Sequence, residues 1–383
     1  MALLNYIIWN GSPEIFSLGS FSLRWYGLFF ASGFLIGQQL MYYIYRKEGK
    51  PEKDVDTLTI YMVIATVLGA RFGHVIFYQP EMFRTDPLGI ILPFEFNPFR
   101  FTGLQGLASH GAAIGIIFAT WLFSRKRKPG QNLLQLLDRI VIIVALCGAL
   151  IRLGNYFNSE IIGKPTDKPW GVVFAGPFTD YIQNKNIDTE GIVDLVGYLK
   201  NDTLPKNAKG NVPMFIYIFF KPGTTRAQVD NLVNGTVKNS LYSSRFIEFF
   251  DQEPVAQLPY EIAKQGNGGG LAVRIKTYAI PRHPAQMYES ISCVLLLALL
   301  LWIWSRYKQN LPAGRLFGVF VVVCFSLRFL FEFLKENQEP FENSLPLNMG
   351  QILSIPMVLA GAIVLIFSFR KRTVENSELG TKN

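Results

Sequence analysis

The sequence predicts an all-α polytopic membrane protein: seven transmembrane helices, N-terminus out and C-terminus in, with a small extracytoplasmic α/β insertion. Three observations predict it. Hydrophobic residues make up 50 % of the chain and charged residues only 17 %, where a water-soluble domain carries about 25 % charge. The apolar residues come in long blocks, each close to the ~20 residues an α-helix needs to cross the hydrocarbon core. Lysine and arginine gather in alternate loops between those blocks, as the positive-inside rule requires.

Taken in order, the blocks are Phe21–Tyr45, Thr57–Tyr78, Leu107–Phe123, Leu136–Leu153, Met287–Trp304, Gly314–Leu334 and Ile352–Phe369. The loop after the first carries Arg46, Lys47, Lys50 and Lys53, and the loop after the third Arg125, Lys126, Arg127 and Lys128. Arg306 and Lys308 follow the fifth block, and Arg370, Lys371 and Arg372 the seventh. The intervening loops, 79–106 and 336–350, hold only Arg84 and Arg100. This bias orients the chain and requires an odd number of spans. The net charge of +9 is therefore an orientation signal and not a nucleic-acid stripe. Cys147, Cys293 and Cys324 lie inside apolar blocks, so no disulfide framework is expected. No basic n-region of a cleavable signal peptide is evident. The chain divides into residues 1–163 with four spans, an extracytoplasmic head over 164–280, three spans over 281–372, and a cytoplasmic tail over 373–383.

Within the head, Met214–Phe220 is β-branched and aromatic and too short to span. Residues 224–240 read as a helix capped by Thr224 or Thr225, with Val229, Leu232, Val233 and Val237 on one face. Residues 270–280 alternate as a strand, with Leu271, Val273, Ile275 and then Tyr278 to one side. Lys206–Asn211 and Gln265–Gly270 read as loops.

An ionisable side chain in a spanning helix costs a few kcal/mol on insertion scales and marks a site by default. Arg71 and His74 share a face of the second helix, Arg71 as ligand or as helix bridge and His74 as a packing histidine. Arg24 reads as snorkelling from the start of the first helix. His110 opens the third helix among glycines at 106, 111 and 115, which leave room for a ligand. Arg328 and Glu332 stand one turn apart in the sixth helix, a spacing that also allows them to neutralise each other. The fourth helix ends in the polar run Arg152, Asn155, Asn158, Glu160 and Gly163, suited to a phosphate and a polar headgroup at the membrane edge. Before the fifth helix Arg282, His283, Gln286 and Tyr288 are expected to face the outer interface. In 348–357 a glycine and a proline loosen a helix start, and Gln351 offers an amide at membrane depth.

These clusters together resemble the prolipoprotein diacylglyceryl transferase family. The resemblance rests on Trp25-Tyr26-Gly27, Gly69 to His74, Ser109-His110-Gly111, the run from Arg152 to Gly163, Arg282 to Glu289, and Met349 to Met357, in that order. It implies transfer of the sn-1,2-diacylglyceryl group from phosphatidylglycerol to the lipobox cysteine thiol of prolipoproteins, forming a thioether and releasing glycerol phosphate. It further implies a multi-pass enzyme of the bacterial cytoplasmic membrane. His110 matches the family's base, Arg152 its phospholipid-binding arginine and Arg328 the essential arginine of the sixth helix. Tyr26, Asn155, Glu160 and Gly163 match other positions on which its activity depends. The chain departs from the family where Ala112 replaces a glycine, Ile151 replaces a glycine, and Cys324 replaces a tyrosine.

The chemistry is expected to need a base for the thiol and cations for the departing phosphate. His110 can supply the first, with the lipid phosphate as the alternative acceptor, and Arg152 and Arg328 the second. Substrate contacts fall to Arg152, Tyr26, Arg71, Asn155, Asn158, Glu160, Gly163, Arg282, His283, Gln286 and Gln351. No cofactor is expected, and no spacing suggests a metal cage. The rival readings are a secondary transporter, for which no internal duplication is found, an intramembrane hydrolase, for which no G-x-S-x-G elbow is present, and a lipid-binding scaffold.

Overall fold

A computed structural model describes residues 6–18, 21–92, 94–96, 99–101, 106, 108–126, 128–184, 187–188, 190–252, 257–264, 270–336, 342 and 344–380. Each of the seven apolar blocks carries a long helix: α1 (Trp25–Lys47), α2 (Lys53–Tyr78), α3 (Ser109–Ser124), α4 (Leu133–Phe157), α5 (Ala285–Tyr307), α6 (Arg315–Glu332) and α7 (Met349–Gly380). Among the described residues, four helices are long and apolar enough to cross a membrane: α2, α4, α5 with its 3-10 extension to Asn310, and α7 as far as Arg370. In α2 and α7 only 22 % and 17 % of the apolar window is buried. Ile60, Ile64, Ile363 and Phe367 are each more than half exposed, an apolar surface that suits lipid and not water.

The first helix starts at Trp25, later than Phe21, because residues 21–24 are a strand. Glu14–Leu18 (β2) pairs antiparallel with Phe21–Arg24 (β3). Arg24 therefore lies on a strand and pairs with Glu14 at 3.4 Å, with both side chains exposed; it does not snorkel from a helix. Helix α7 likewise begins cleanly at Met349 and continues through Pro356. Asn348 Oδ1 accepts from Gln351 N at 2.9 Å while Gln351 Oε1 accepts from Asn348 N at 3.1 Å, a reciprocal cap where a loosened start was expected.

The chain forms two compact units. Unit 1 comprises Met1–Leu28, Arg152–Glu289 and Phe331–Pro346; unit 2 comprises Phe29–Ile151, Ser290–Leu330 and Leu347–Asn383. Unit 1 is built on a five-stranded antiparallel sheet of Val193–Lys200 (β5), Val212–Phe220 (β6), Phe250–Asp251 (β7), Tyr260–Lys264 (β8) and Leu271–Ala279 (β9). Their order is β8–β9–β6–β5, with β7 paired to β9. Strand β6 alternates as a half-buried strand must: Met214, Ile216, Ile218 and Phe220 are buried, and Phe215, Tyr217 and Phe219 take the other face. In β9 Val273, Ile275, Thr277 and Ala279 are buried on one face, and Ala272 on the other. Tyr278, an odd number of residues from Val273 and Ile275, lies on the opposite face from the one expected.

The helix of 226–241 lays Val229, Leu232, Val233 and Val237 into this core, with a π-turn over Leu232–Val237. Thr225 is its cap, in a capping box with Gln228. Of the two expected loops, 206–211 is held by Asp251, which accepts from Asn207 and Asn211 at 2.8 Å. Residues 265–269 lie outside the described residues. Ile7–Trp9 (β1) adds parallel to Val172–Phe174 (β4).

In unit 2 the core gathers Met41, Ile44, Tyr45, Leu58, Phe123, Ile140, Ile142, Leu300 and Trp304. A buried charge knot closes one end. Glu48 accepts from Arg139 Nη2 at 2.9 Å and from Trp304 Nε1 at 2.8 Å, and pairs with Lys50 at 2.6 Å. Asp138 caps α6 by accepting from Gly314 N at 2.7 Å and Phe317 N at 2.9 Å.

Candidate active site

The polar run that ends α4 folds into a tight knot. Past Phe157, Ser159 and Ile161 take left-handed backbone angles, φ 54° and 55°. This region is uncommon for any side chain and strained for a β-branched one. The turn is held by Glu160. Its backbone N–H donates to Asn155 O at 3.0 Å, and its carboxylate accepts from Asn155 Nδ2 and Asn158 Nδ2, each at 3.2 Å. Gln286 Nε2 donates to Glu160 O at 2.5 Å. Gln286 has no exposed surface, so it lies inside the knot; the expectation that it faces the interface does not hold.

Arg282 is also buried and not interfacial. Its Nε donates to Glu248 O at 2.8 Å and its Nη1 to Gly163 O at 3.1 Å, and Glu336 pairs with it at 3.0 Å. Both side chains are drawn in because buried backbone carbonyls must find donors. Gly163 closes the run: a Cβ there would stand 2.6 Å from His283 O and 2.8 Å from Leu334 O. Its N–H donates to His283 O at 2.9 Å. Trp170 Nε1 donates to Tyr288 Oη at 2.8 Å, and Tyr288 Oη lies 3.1 Å from His283 Nδ1. The Tyr288 hydroxyl thus links the indole and the imidazole, as donor to His283 Nδ1 or acceptor from it according to the ring's tautomer. Burial, then the Lys168 charge, pushes the His283 imidazole below its ordinary value, against a weaker opposing effect of Asp167.

Arg152 stands in the same unit. Its Nε pairs with Glu289 Oε2 at 2.5 Å, and its Nη1 lies 3.5 Å from Asn155 Oδ1. Nη2 makes no hydrogen bond among the described residues, so one arm of the fork is open. Glu289 in turn pairs with Lys335, and Lys335 with Glu332 at 3.3 Å. Tyr26 packs on this run from α1: a Cβ at Gly154 would lie 3.0 Å from its Cα. Unit 1 thus brings together Tyr26, Arg152, Asn155, Asn158, Glu160, Gly163, Arg282, His283 and Gln286.

Such an open guanidinium beside a strained, polar turn is suited to an anion at the end of an apolar helix. The model of the prolipoprotein diacylglyceryl transferase family matches residues 13–367. The chain belongs to that family. A phosphatidylglycerol–prolipoprotein diacylglyceryl transferase of Tolumonas auensis is 32 % identical over 96 % of this chain and 99 % of its own length. The protein of the same name from Chloroherpeton thalassium is 33 % identical over 97 % and 98 %, and that of Bacteroides fragilis 31 % over 97 % and 99 %. The chain is accordingly a membrane-protein transferase by family.

The remaining family positions lie in unit 2. His110 is exposed in the first turn of α3, edge-on to Phe77 with ring centroids 4.9 Å apart, and has no polar partner among the described residues. Arg328 is half-buried in α6 and likewise makes no hydrogen bond or ion pair among the described residues. Glu332 pairs with Lys335, so the neutralising partner expected for Arg328 is engaged elsewhere. The Arg71 guanidinium is buried and donates to Gly89 O at 2.9 Å and Ile90 O at 3.1 Å. Gln351 is buried in its cap.

The glycines around His110 do not leave room for a ligand. A Cβ at Gly111 would stand 2.2 Å from Gly69 O, one at Gly115 2.5 Å from Ala65 O, and one at Gly106 2.3 Å from His74 Nε2. Their space is filled by helix α2, because two apolar helices can pack backbone to backbone only where side chains are missing.

Sequence reasoning missed Glu289 and Lys335 as parts of the site. Glu289 closes the Arg282–Glu289 motif, and Lys335 follows Glu332 at a helical spacing. Those are the signals that could have found them.

Proposed function

We propose that this chain transfers the sn-1,2-diacylglyceryl group of phosphatidylglycerol to the lipobox cysteine thiol of prolipoproteins. It does so as a seven-span protein of the bacterial cytoplasmic membrane, N-terminus out and C-terminus in, with residues 164–280 as an outer head. The observation that carries this reading is Arg152. Its guanidinium is steered by Glu289 with one arm open, inside a polar run that the family model spans. The relatives' names supply the two substrates.

The reaction needs the cysteine sulfur to attack the glycerol carbon that bears the phosphate. The S–C bond forms as the C–O bond breaks, and the electron pair leaves on the phosphate oxygen of glycerol phosphate. The thiol proton passes to the imidazole of His110, which has no competing polar partner among the described residues and so can accept it. Negative charge that builds on the leaving oxygen is met by Arg152, whose charge-assisted bond gains strength in a water-poor site. Arg328 is the sixth-helix arginine that the family resemblance makes necessary for turnover. Tyr26, Asn155, Asn158 and Glu160 keep the turn in which Arg152 is aimed.

The test is mass spectrometry of a lipobox peptide incubated with the purified chain in phosphatidylglycerol vesicles. A gain of one diacylglyceryl unit with release of glycerol phosphate is expected. No gain, or normal turnover by both His110→Asn and Arg152→Ala, overturns the assignment.

A further inference from the structure

We propose that Lys335 is a positioning residue for the phosphate-binding arginine: by holding Glu289 and Glu332 it keeps Arg152 in a charge-neutral frame with its outer arm open to a lipid phosphate. The inference rests on the reading of Arg152 given above.

Lys335, Glu289 and Glu332 are 4 %, 8 % and 6 % exposed. Buried charges of this kind persist only when paired, because the cost of desolvating each is several kcal/mol. The four groups form a chain. Arg152 Nε meets Glu289 Oε2 at 2.5 Å, Glu289 Oε1 meets Lys335 Nζ, and the same Nζ meets Glu332 Oε1 at 3.3 Å. Two cations and two carboxylates sum to zero, so an arriving phosphodiester anion is not repelled by the frame. Lys335 also divides the Glu289 carboxylate. One oxygen is engaged by the ammonium, so only the other is left for Arg152, at Nε and not at the fork. With Lys335 gone, the frame carries a net negative charge, and Glu289 is free to take two donors of the guanidinium and compete with lipid phosphate.

The backbone places Lys335 for this role. Gly163 and Lys335 form an antiparallel bridge, and Lys164 N donates to Leu334 O at 2.7 Å. The end of the Arg152–Gly163 run is thereby stitched to the lysine. Lys335 touches none of the reacting groups, so its effect acts through Arg152.

The experiment measures diacylglyceryl transfer to a lipobox peptide by the full chain in vesicles of phosphatidylglycerol diluted into phosphatidylcholine. The quantities read are the phosphatidylglycerol mole fraction at half-maximal rate and the maximal rate itself. Lys335→Met is expected to raise the half-saturating fraction roughly tenfold or more, the effect of one uncompensated charge at an effective dielectric of about 20, with a smaller fall in maximal rate. Lys335→Arg keeps the charge and is expected to stay within a few-fold of wild type. The double variant Lys335→Met/Glu332→Gln restores neutrality and is expected to recover most of the loss in half-saturation.

An unchanged half-saturating fraction in Lys335→Met, or a double variant no better than the single, overturns the proposal. Should Lys335→Met fail to fold, the neutral double variant against Lys335→Arg carries the same comparison, and equal, severe defects in both overturn it. Arg152→Ala separates the two readings. If that variant keeps turnover, the role of Arg152 itself fails; if it is inactive while Lys335→Met matches wild type, only the role of Lys335 fails.

Discussion

The run from Arg152 to Gly163 and the crossing of α2 with α3 use the same ingredients to opposite ends. Each has an arginine beside an apolar helix, polar neighbours and closely spaced glycines. In the crossing, Arg71 is engaged by the carbonyls of Gly89 and Ile90, and Gly111 lies against Gly69 and Gly73. There the Arg71 guanidinium is tied to backbone carbonyls, and the glycines serve the close approach of the two helices. In the Arg152 run, Asn155 and Asn158 are tied to Glu160, while Arg152 is held at one nitrogen by Glu289 and keeps an arm open. The difference lies in what engages each guanidinium: Arg71 donates to backbone carbonyls, whereas Arg152 pairs with a carboxylate that Lys335 shares.

This contrast can be broken at its strongest point first. Arg152→Ala is expected to lower the rate of diacylglyceryl transfer per folded molecule by about 100- to 1,000-fold, the usual cost of removing one transition-state donor, a loss beyond what its lower thermal midpoint explains. Arg71→Met should do the reverse. Leaving buried carbonyls without donors costs about 1–3 kcal/mol, read as a lower melting temperature in detergent with turnover per folded molecule preserved. A rate loss in Arg71→Met at unchanged stability would erase the distinction.

The glycines sharpen it further. Gly111→Val forces a side chain against the Gly69 carbonyl and should destabilise by about 1–3 kcal/mol or more, as overpacking does. Gly163→Ala meets backbone oxygens of His283 and Leu334. It should cost activity beyond its cost in stability, because it displaces the segment that carries Lys335. Thermal scans and transfer rates on the same preparations separate the two outcomes.

The smallest effect concerns pH. His283 titrates below its ordinary value of 6.5, chiefly from burial, so the folded site prefers the neutral ring. Its contribution is complete above about pH 6.5 and declines as pH falls below that, where the unfolded chain binds the proton more readily. Wild type should therefore lose slightly more thermal stability than His283→Gln between pH 7.5 and 5.5. Parallel melting curves for the two would remove the argument.

Much of this was legible in the chain. Hydropathy located the seven long apolar helices, since a spanning or core helix is an unbroken local signal. Period-two alternation marked Met214–Phe220, and Thr225 announced its helix by a local capping pattern. The failures have a common cause. Arg24 looked like the start of α1 because a hairpin of apolar residues and a helix share the same hydropathy. Gly111 and Gly115 looked like space for a ligand because a glycine's vacancy does not say what fills it. Gln286 and Arg282 read as interfacial from sequence because a polar side chain reads as exposed until its buried acceptor is known.

The sequence by itself determined the helices, the position of the sheet-bearing segment and the family, because hydropathy, periodicity and motif order are written in neighbouring residues. Only the tertiary structure decided that Glu289 and Lys335 join Arg152, that Arg71 does not act as an open cation, and that Glu332 pairs with Lys335. Ion pairs between distant segments leave no periodic trace, and their geometry exists only once folding has brought the charges out of water together.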